Sequence, residues 1–387
     1  MGILLLSIIA LLFLYKLDNF KQKWFYISEV LIILGFSFAF FMKNSVYIRK
    51  YILIFDSVKM SWEVFLFFIS VLFSYFIGYF FTRKIVFVFK VGFGNYKKTR
   101  VILLYYFFSF LSFLGFVHNL SATNLGLLFV NPRLYEHLFG RNVIFNYLYF
   151  LNVPALIIYI FAKKHLGINI KGSFVINLFL LFESFFHGIK FTISDTFIQP
   201  FLFLNLLEKS KNKKRMLFWN ILFFLTFFVI LLLFFVSVRG GVWGIINYYI
   251  SNFYNFSYYI ENNKLVFSLP LRLLVPREFF RYINFNKFES VGSTGFILNL
   301  KYNTYTAFLN LYNIFWYVGP LLFIPFLMIL ISSLEKIRNN MFYCFLLDIM
   351  LYCSIYMFFS WQFTKFKYIY YIILLFFADY ISRDKKG

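Results

Sequence analysis

Charge is scarce in this sequence. Asp, Glu, Lys and Arg make up 14% of its 387 residues, where soluble domains carry about 25%. Apolar residues fill 62% against the usual ~45–50%, so a soluble globular protein is excluded. Cysteine is scarcer still. Cys344 and Cys353 are the only two, both within one apolar run. Without ligand spacing they read as buried core residues, neither a disulfide framework nor a metal site. The sequence also lacks His-Glu-x-x-His, Cys-x-x-Cys, Walker and Gly-x-Ser-x-Gly patterns, so no motif points to metal or nucleotide chemistry. No cofactor is expected on that ground. A group transfer carried out here needs an activated donor that brings its own leaving group.

Long apolar runs are abundant. A helix needs roughly 20 predominantly apolar residues to cross a bilayer, and the pattern predicts an all-α polytopic membrane protein. About eleven spans (ten to twelve) can be drawn, at 2–15, 24–42, 64–82, 101–118, 144–162, 172–188, 191–207, 216–237, 312–333, 341–359 and 368–381. The first reads as a short span rather than a removable signal peptide, because no basic residues precede it and no small-residue cleavage site follows. Only Ile189 and Lys190 join 172–188 to 191–207, which allows a tight turn or a re-entrant hairpin. No internal repeat is evident. The 64 Phe and 30 Tyr suit a bilayer core and its interfaces, and carry no function on their own.

The few charges are mostly positive, 38 Lys and Arg against 15 Asp and Glu. In a membrane protein this excess reflects cytoplasmic loops and anionic lipid neighbours rather than nucleic acid. With the N-terminus outside and the C-terminus inside, the inner connections hold 22 basic residues and the short outer ones 9. The positive-inside rule therefore predicts this orientation.

It also places the one long polar connection, 238–311, on the outer face. Among the connections it alone reads as long enough to form a small folded unit within a single membrane domain spanning 1–387. It carries Arg239, Arg272, Arg277 and Arg281 among seven basic residues, against three acids. Arg277 and Arg281 lie one helical turn apart, and paired guanidinium forks suit phosphate oxygens. The cluster is expected to hold a diphosphate or another anion; the alternative is a solvated loop on lipid headgroups. In the same connection Tyr254, Asn255, Phe256, Tyr258 and Tyr259 read as an interfacial aromatic helix, or as a platform for glycans.

Glu183 and His187 stand at i and i+4 near the outer end of their span, followed by Lys190 and Asp195. A carboxylate beside an imidazole can orient it as a general base, and ionisable residues within spans face a cavity or one another. Helix–helix pairing is the alternative for this quartet. Glu29 and Asp348 read as acids hydrogen-bonded inside the bundle, and Asp379 as an acid near the inner interface. His118, His137 and His165 are boundary or loop residues without ligand spacing.

At Tyr302-Asn303-Thr304-Tyr305-Thr306, followed by Leu309, Gly319 and an apolar span, the sequence resembles the Wzy-type oligosaccharide repeat-unit polymerases of O-antigen and capsule synthesis. Members carry an Asn-x-Tyr-Thr element late in a large outer loop. Here Asn313 stands where many have an acid, so no catalytic carboxylate is assigned there. The resemblance implies a glycosyltransferase of the bacterial cytoplasmic (inner) membrane. It would join undecaprenyl-diphosphate-linked oligosaccharides at the outer face, with membrane lipids and a chain-length regulator protein as partners. Asn303, Tyr305, Thr306 and Lys190, with the four arginines, are then the expected substrate-binding residues, and His187 with Glu183 the catalytic pair. An O-antigen ligase shares the layout. A lipid-linked oligosaccharide flippase or other transporter is the non-enzyme rival.

Overall fold

The computed structural model describes residues 62–85, 87, 95–187, 190–207, 253–260, 311–312, 315–358, 363 and 365–384. These are mostly helical, with no strand among the described residues. The helices are α1 (Trp62–Lys84), α2 (Lys98–Ser121), α3 (Gly126–Val130), α4 (Pro132–Phe139), α5 (Val143–Tyr149), α6 (Asn152–Lys164), α7 (Ser173–Phe186), α8 (Lys190–Leu207), α9 (Val318–Glu335), α10 (Met341–Ile355) and α11 (Phe366–Ser382). Residues 253–260 are also helical. The expected spans at 2–15, 24–42 and 216–237 lie outside the described residues. Among the described residues four stretches are long and apolar enough to cross a membrane: α1, α2, α5 with α6, and α9.

Two compact units result, one from Met1–Val88, Trp243–Ser333 and Cys353–Phe366, the other from Phe89–Val242, Leu334–Tyr352 and Lys367–Gly387. In the first, Phe67 of α1 packs on Phe256, Tyr312 and Tyr317 with ring centroids 5.1–6.3 Å apart. Tyr254, Asn255, Phe256 and Tyr259 are buried. They are core residues of that unit, so neither the interfacial helix nor the glycan platform expected from their composition is formed. α9 starts at Val318, six residues later than its expected span, after Trp316 turns the chain with φ 55°. A Cβ on Gly319 would stand 2.9 Å from the Leu311 carbonyl carbon, so only glycine allows this close return.

The second unit is an up-and-down bundle. The buried stripe of α2 (Val101, Tyr105, Phe108, Ser112, Gly115 and Asn119) follows the three-to-four-residue period of a helix face. Its other faces expose Leu103, Phe107 and Phe110. α7 likewise exposes Phe174, Val175, Leu178 and Phe182 while burying Leu180 and Glu183. A water-facing surface does not carry such continuous apolar faces, whereas a bilayer favours them. α5 and α6 stand where one span was expected. Pro154 lacks an N–H and its ring crowds the carbonyl four residues back, which is Phe150, and the helix breaks at residues 150–151. Cys344 and Cys353 are buried and unbridged, as expected.

Hydrogen bonds relate the directions of α2, α7, α10 and α11 in this unit. At one end Tyr96 donates to Asp379 (2.7 Å) and accepts from the Met341 amide (3.1 Å). Beside it, Arg100 donates to the carbonyls of Ile381 and Arg383 that end α11. So α2 and α10 start where α11 finishes. Tyr105 binds Asn177 and Tyr106 binds the Lys171 carbonyl, so α7 runs parallel to α2. The basic residues Lys97, Lys98, Arg100, Lys163, Lys164, Lys171 and Arg383 belong to this end or to connections that return to it.

At the other end the connection 119–143 is more than a loop. α3 and α4 fold over the bundle, with Tyr135 and Phe139 fully buried against Phe116 and Tyr149. A connection other than 238–311 thus forms a folded unit, which the sequence reading did not expect. Sequence length concealed this, because four aromatic rings supply the core that 25 residues alone do not imply.

Candidate functional site

The end of the bundle beneath α4 gathers the ionisable side chains. Glu183, in the last turn of α7, is fully buried, and its Oε1 lies 2.7 Å from the Ser112 hydroxyl on α2. That hydroxyl also reaches the Tyr149 carbonyl at 3.0 Å. α5 approaches this closely because residue 115 is glycine: a Cβ there would meet the Phe145 carbonyl oxygen at 2.6 Å and the Tyr149 amide nearer still. Two phenols cap the open carbonyls at the end of α7, Tyr149 on Glu183 (3.3 Å) and Tyr135 on Phe186 (2.6 Å).

His187 follows as the C-cap of α7 and is 1% exposed. Its Nε2 is 3.3 Å from Asn146 Oδ1. The ring lies between Tyr149 (centroids 5.2 Å, 24°) and Phe139 (5.1 Å, 65°). Nδ1 has no hydrogen-bond partner among the described residues, nor has Glu183 Oε2. The expected Glu183–His187 hydrogen bond is not formed. Spacing alone places both groups on one face, but each meets a nearer polar partner on another helix, Ser112 for the acid and Asn146 for the imidazole.

Asp195, one turn into α8, is engaged by three other side chains. Lys367 and the Tyr352 hydroxyl donate to it, and Tyr368 does so at 2.9 Å. The carboxylate is 2% exposed and the Lys367 side chain 15%. Lys367 also lies 4.9 Å above the Tyr368 ring. This cluster ties α8 to α10 and α11. It follows the His187 site directly along the chain, since α8 opens at Lys190. Sequence reasoning missed Lys367, Tyr352 and Tyr368. A signal existed: an acid near the start of one apolar helix needs a cation at the same level, and Lys367 stands at the start of the last apolar helix.

Deeper in the bundle Asn152 Nδ2 reaches Thr196 Oγ1 at 3.2 Å, linking α6 to α8. Gln199 is buried one turn further, its amide unpartnered among the described residues. Asp348 is fully buried, yet neither carboxyl oxygen has a hydrogen-bond partner among the described residues, contrary to the bonded acid expected there. Asp379 pairs with Arg383 at the basic end, near where its sequence position suggested. Lys190 opens α8, and its side chain lies outside the described set. Arg239, Arg272, Arg277, Arg281, Asn303, Tyr305 and Thr306 also lie outside the described residues, so the expected anion clamp is not brought into view. Among the described residues no group of three or more His, Cys, Asp or Glu side chains could hold a metal ion.

No protein-family model, curated protein or solved structure matches the chain.

Proposed function

We propose that the chain is a polysaccharide polymerase of the bacterial cytoplasmic membrane, joining lipid-diphosphate-linked oligosaccharide repeat units at the outer face. One observation carries the reading. Glu183, His187, Asp195 and Lys367 gather within an apolar bundle, at the end opposite Lys97, Lys98, Arg100, Lys171 and Arg383. Ionisable groups are expensive in that setting and mark function or pairing. The positive-inside rule puts the basic end in the cytoplasm and the cluster outside.

In the reaction the acceptor hydroxyl oxygen bonds to the anomeric carbon of the donor. The bond from that carbon to the diphosphate oxygen breaks, and the lipid diphosphate leaves with the electron pair. His187, with Nδ1 unpartnered, takes the hydroxyl proton. Glu183 holds the end of α7 through Ser112 and so positions the imidazole. Phe139 and Tyr149 close over His187, so substrate reaches it only when the end of α4 moves aside.

A second reading, a transporter of lipid-linked oligosaccharides, is favoured by the buried polar row of Asn152, Thr196 and Gln199. The deciding experiment is glycan analysis of a deletion strain complemented with wild type or with His187→Ala. The polymerase reading expects single repeat units, still attached to their final acceptor, in the deletion and in the variant. Long chains in both would sink it. Complete loss of attached glycan would indicate a ligase, and lipid-linked units stranded on the inner face a transporter.

A further inference from the structure

We infer that the cleft between the outer ends of α2 and α5, walled by α4, binds the phosphate-bearing head group of a membrane lipid. The cleft measures about 530 Å³ and is lined by His118, Asn119, Ala122, Leu138, Arg141, Asn142, Val143 and Ile144. That volume falls within the range of ligand sites and exceeds what a lone phosphate fills.

Its chemistry is one-sided. No Asp or Glu lines it among the described residues. Arg141 offers five N–H donors and Asn119 two more. Asn119 is 1% exposed, and both atoms of its amide lack a partner among the described residues. Burying an amide unpaired is costly, which points to a ligand that completes it. His118 lies flat on Phe145, with centroids 3.6 Å apart at 4°, and its Nδ1 is also unpartnered. The Asn142 side-chain oxygen accepts from the Phe145 amide as a helix cap, which leaves its NH₂ as a further donor. Donors in excess, with one fixed cation, suit a phosphate bearing adjacent hydroxyls. The rim is the opposite: Val143 and Ile144 are 63% and 70% exposed and continue the apolar outer surface. A polar floor beside an apolar rim fits an amphiphile that enters from the bilayer, head first into the cleft.

The identity of that lipid as the diphosphate-linked repeat unit rests on the polymerase reading; the phosphate chemistry does not. The test uses the full-length chain in nanodiscs, with inorganic pyrophosphate as probe and calorimetry as readout. Saturable binding is expected, weakened about tenfold or more in Arg141→Gln and in Asn119→Leu. It should be unchanged in Lys171→Gln, at the opposite end of the bundle. Absence of saturable binding, or wild-type affinity in both cleft variants, overturns the site. Farnesyl diphosphate or phosphatidylglycerol in the nanodisc should displace pyrophosphate; displacement by neither overturns the lipid assignment. Glycan profiles separate the two proposals. Long chains in a deletion strain refute the polymerase while pyrophosphate binding still upholds the cleft. Pyrophosphate affinity that ignores Arg141, in a protein whose deletion leaves single repeat units, refutes the cleft alone.

Discussion

Asp195 and Lys367 form a buried ion pair across 172 positions of sequence, with Tyr352 and Tyr368 completing the hydrogen bonds to the carboxylate. A buried pair does not guarantee stability, because desolvating two charges offsets much of their attraction. Removing one partner leaves the other uncompensated, typically at about 3–5 kcal/mol. Lys367→Met should therefore lower unfolding stability in detergent by an amount of that order. Asp195→Leu combined with Lys367→Met should recover most of the loss. A single variant as stable as wild type would show that the pair has no structural role.

Gly115 sets how closely α5 lies on α2. A methyl group there meets backbone atoms of Phe145, Leu148 and Tyr149, none of which can rotate away. Gly115→Ala should cost about 1–3 kcal/mol and separate Ser112 from the Tyr149 carbonyl. Gly126→Ala is the control, since its nearest neighbour is the movable Asn124 side chain at 3.2 Å. Thermal unfolding of the two variants side by side checks the contrast; equal midpoints would contradict it.

At the basic end, burial and then the Asp379 carboxylate push the Tyr96 phenol well above its ordinary value of 10.0. A raised folded-state value means that stability is fully present below the unfolded value. It is lost only as pH rises past about 10 toward the folded value. The Tyr96–Asp379 bond should thus contribute equally at pH 6 and pH 9. Tyr96→Phe should cost about 1 kcal/mol at both. A cost that falls between those two pH values would mean the phenol already ionises there.

The membrane bundle was legible because apolar run length and basic-residue placement are direct consequences of bilayer physics. Helices form within the stretches drawn as spans, and among the described residues α1, α2, α5 with α6, and α9 are long and apolar enough to cross a membrane. The site was legible only in part. Glu183, His187 and Asp195 stood out as ionisable groups in apolar surroundings. Their partners did not, because Ser112, Asn146, Tyr352 and Lys367 become neighbours only when helices from distant parts of the chain pack. The cleft residues His118, Asn119 and Arg141 gave no periodic signal either, since α4 creates their enclosure. The arginine connection, prominent in the sequence, falls outside the described residues.

Ser112 tests whether Glu183 is held in place or merely tolerated. The serine hydroxyl has one proton and two oxygens within reach, the Glu183 carboxyl at 2.7 Å and the Tyr149 carbonyl at 3.0 Å. Ser112→Ala strips the carboxyl of its only hydrogen bond among the described residues, at about 1–3 kcal/mol for a buried group. Glu183→Leu removes the need for that bond, so adding Ser112→Ala to it should cost far less than Ser112→Ala alone. The two changes should thus couple by about 0.5–3 kcal/mol in a double-mutant cycle. Additive losses would show that the serine serves the Tyr149 carbonyl instead and that α7 is fixed by its two tyrosine caps. In cells the same variants separate folding from function. Ser112→Ala protein that reaches wild-type levels yet makes shorter glycan chains would tie the position of α7 to the reaction itself.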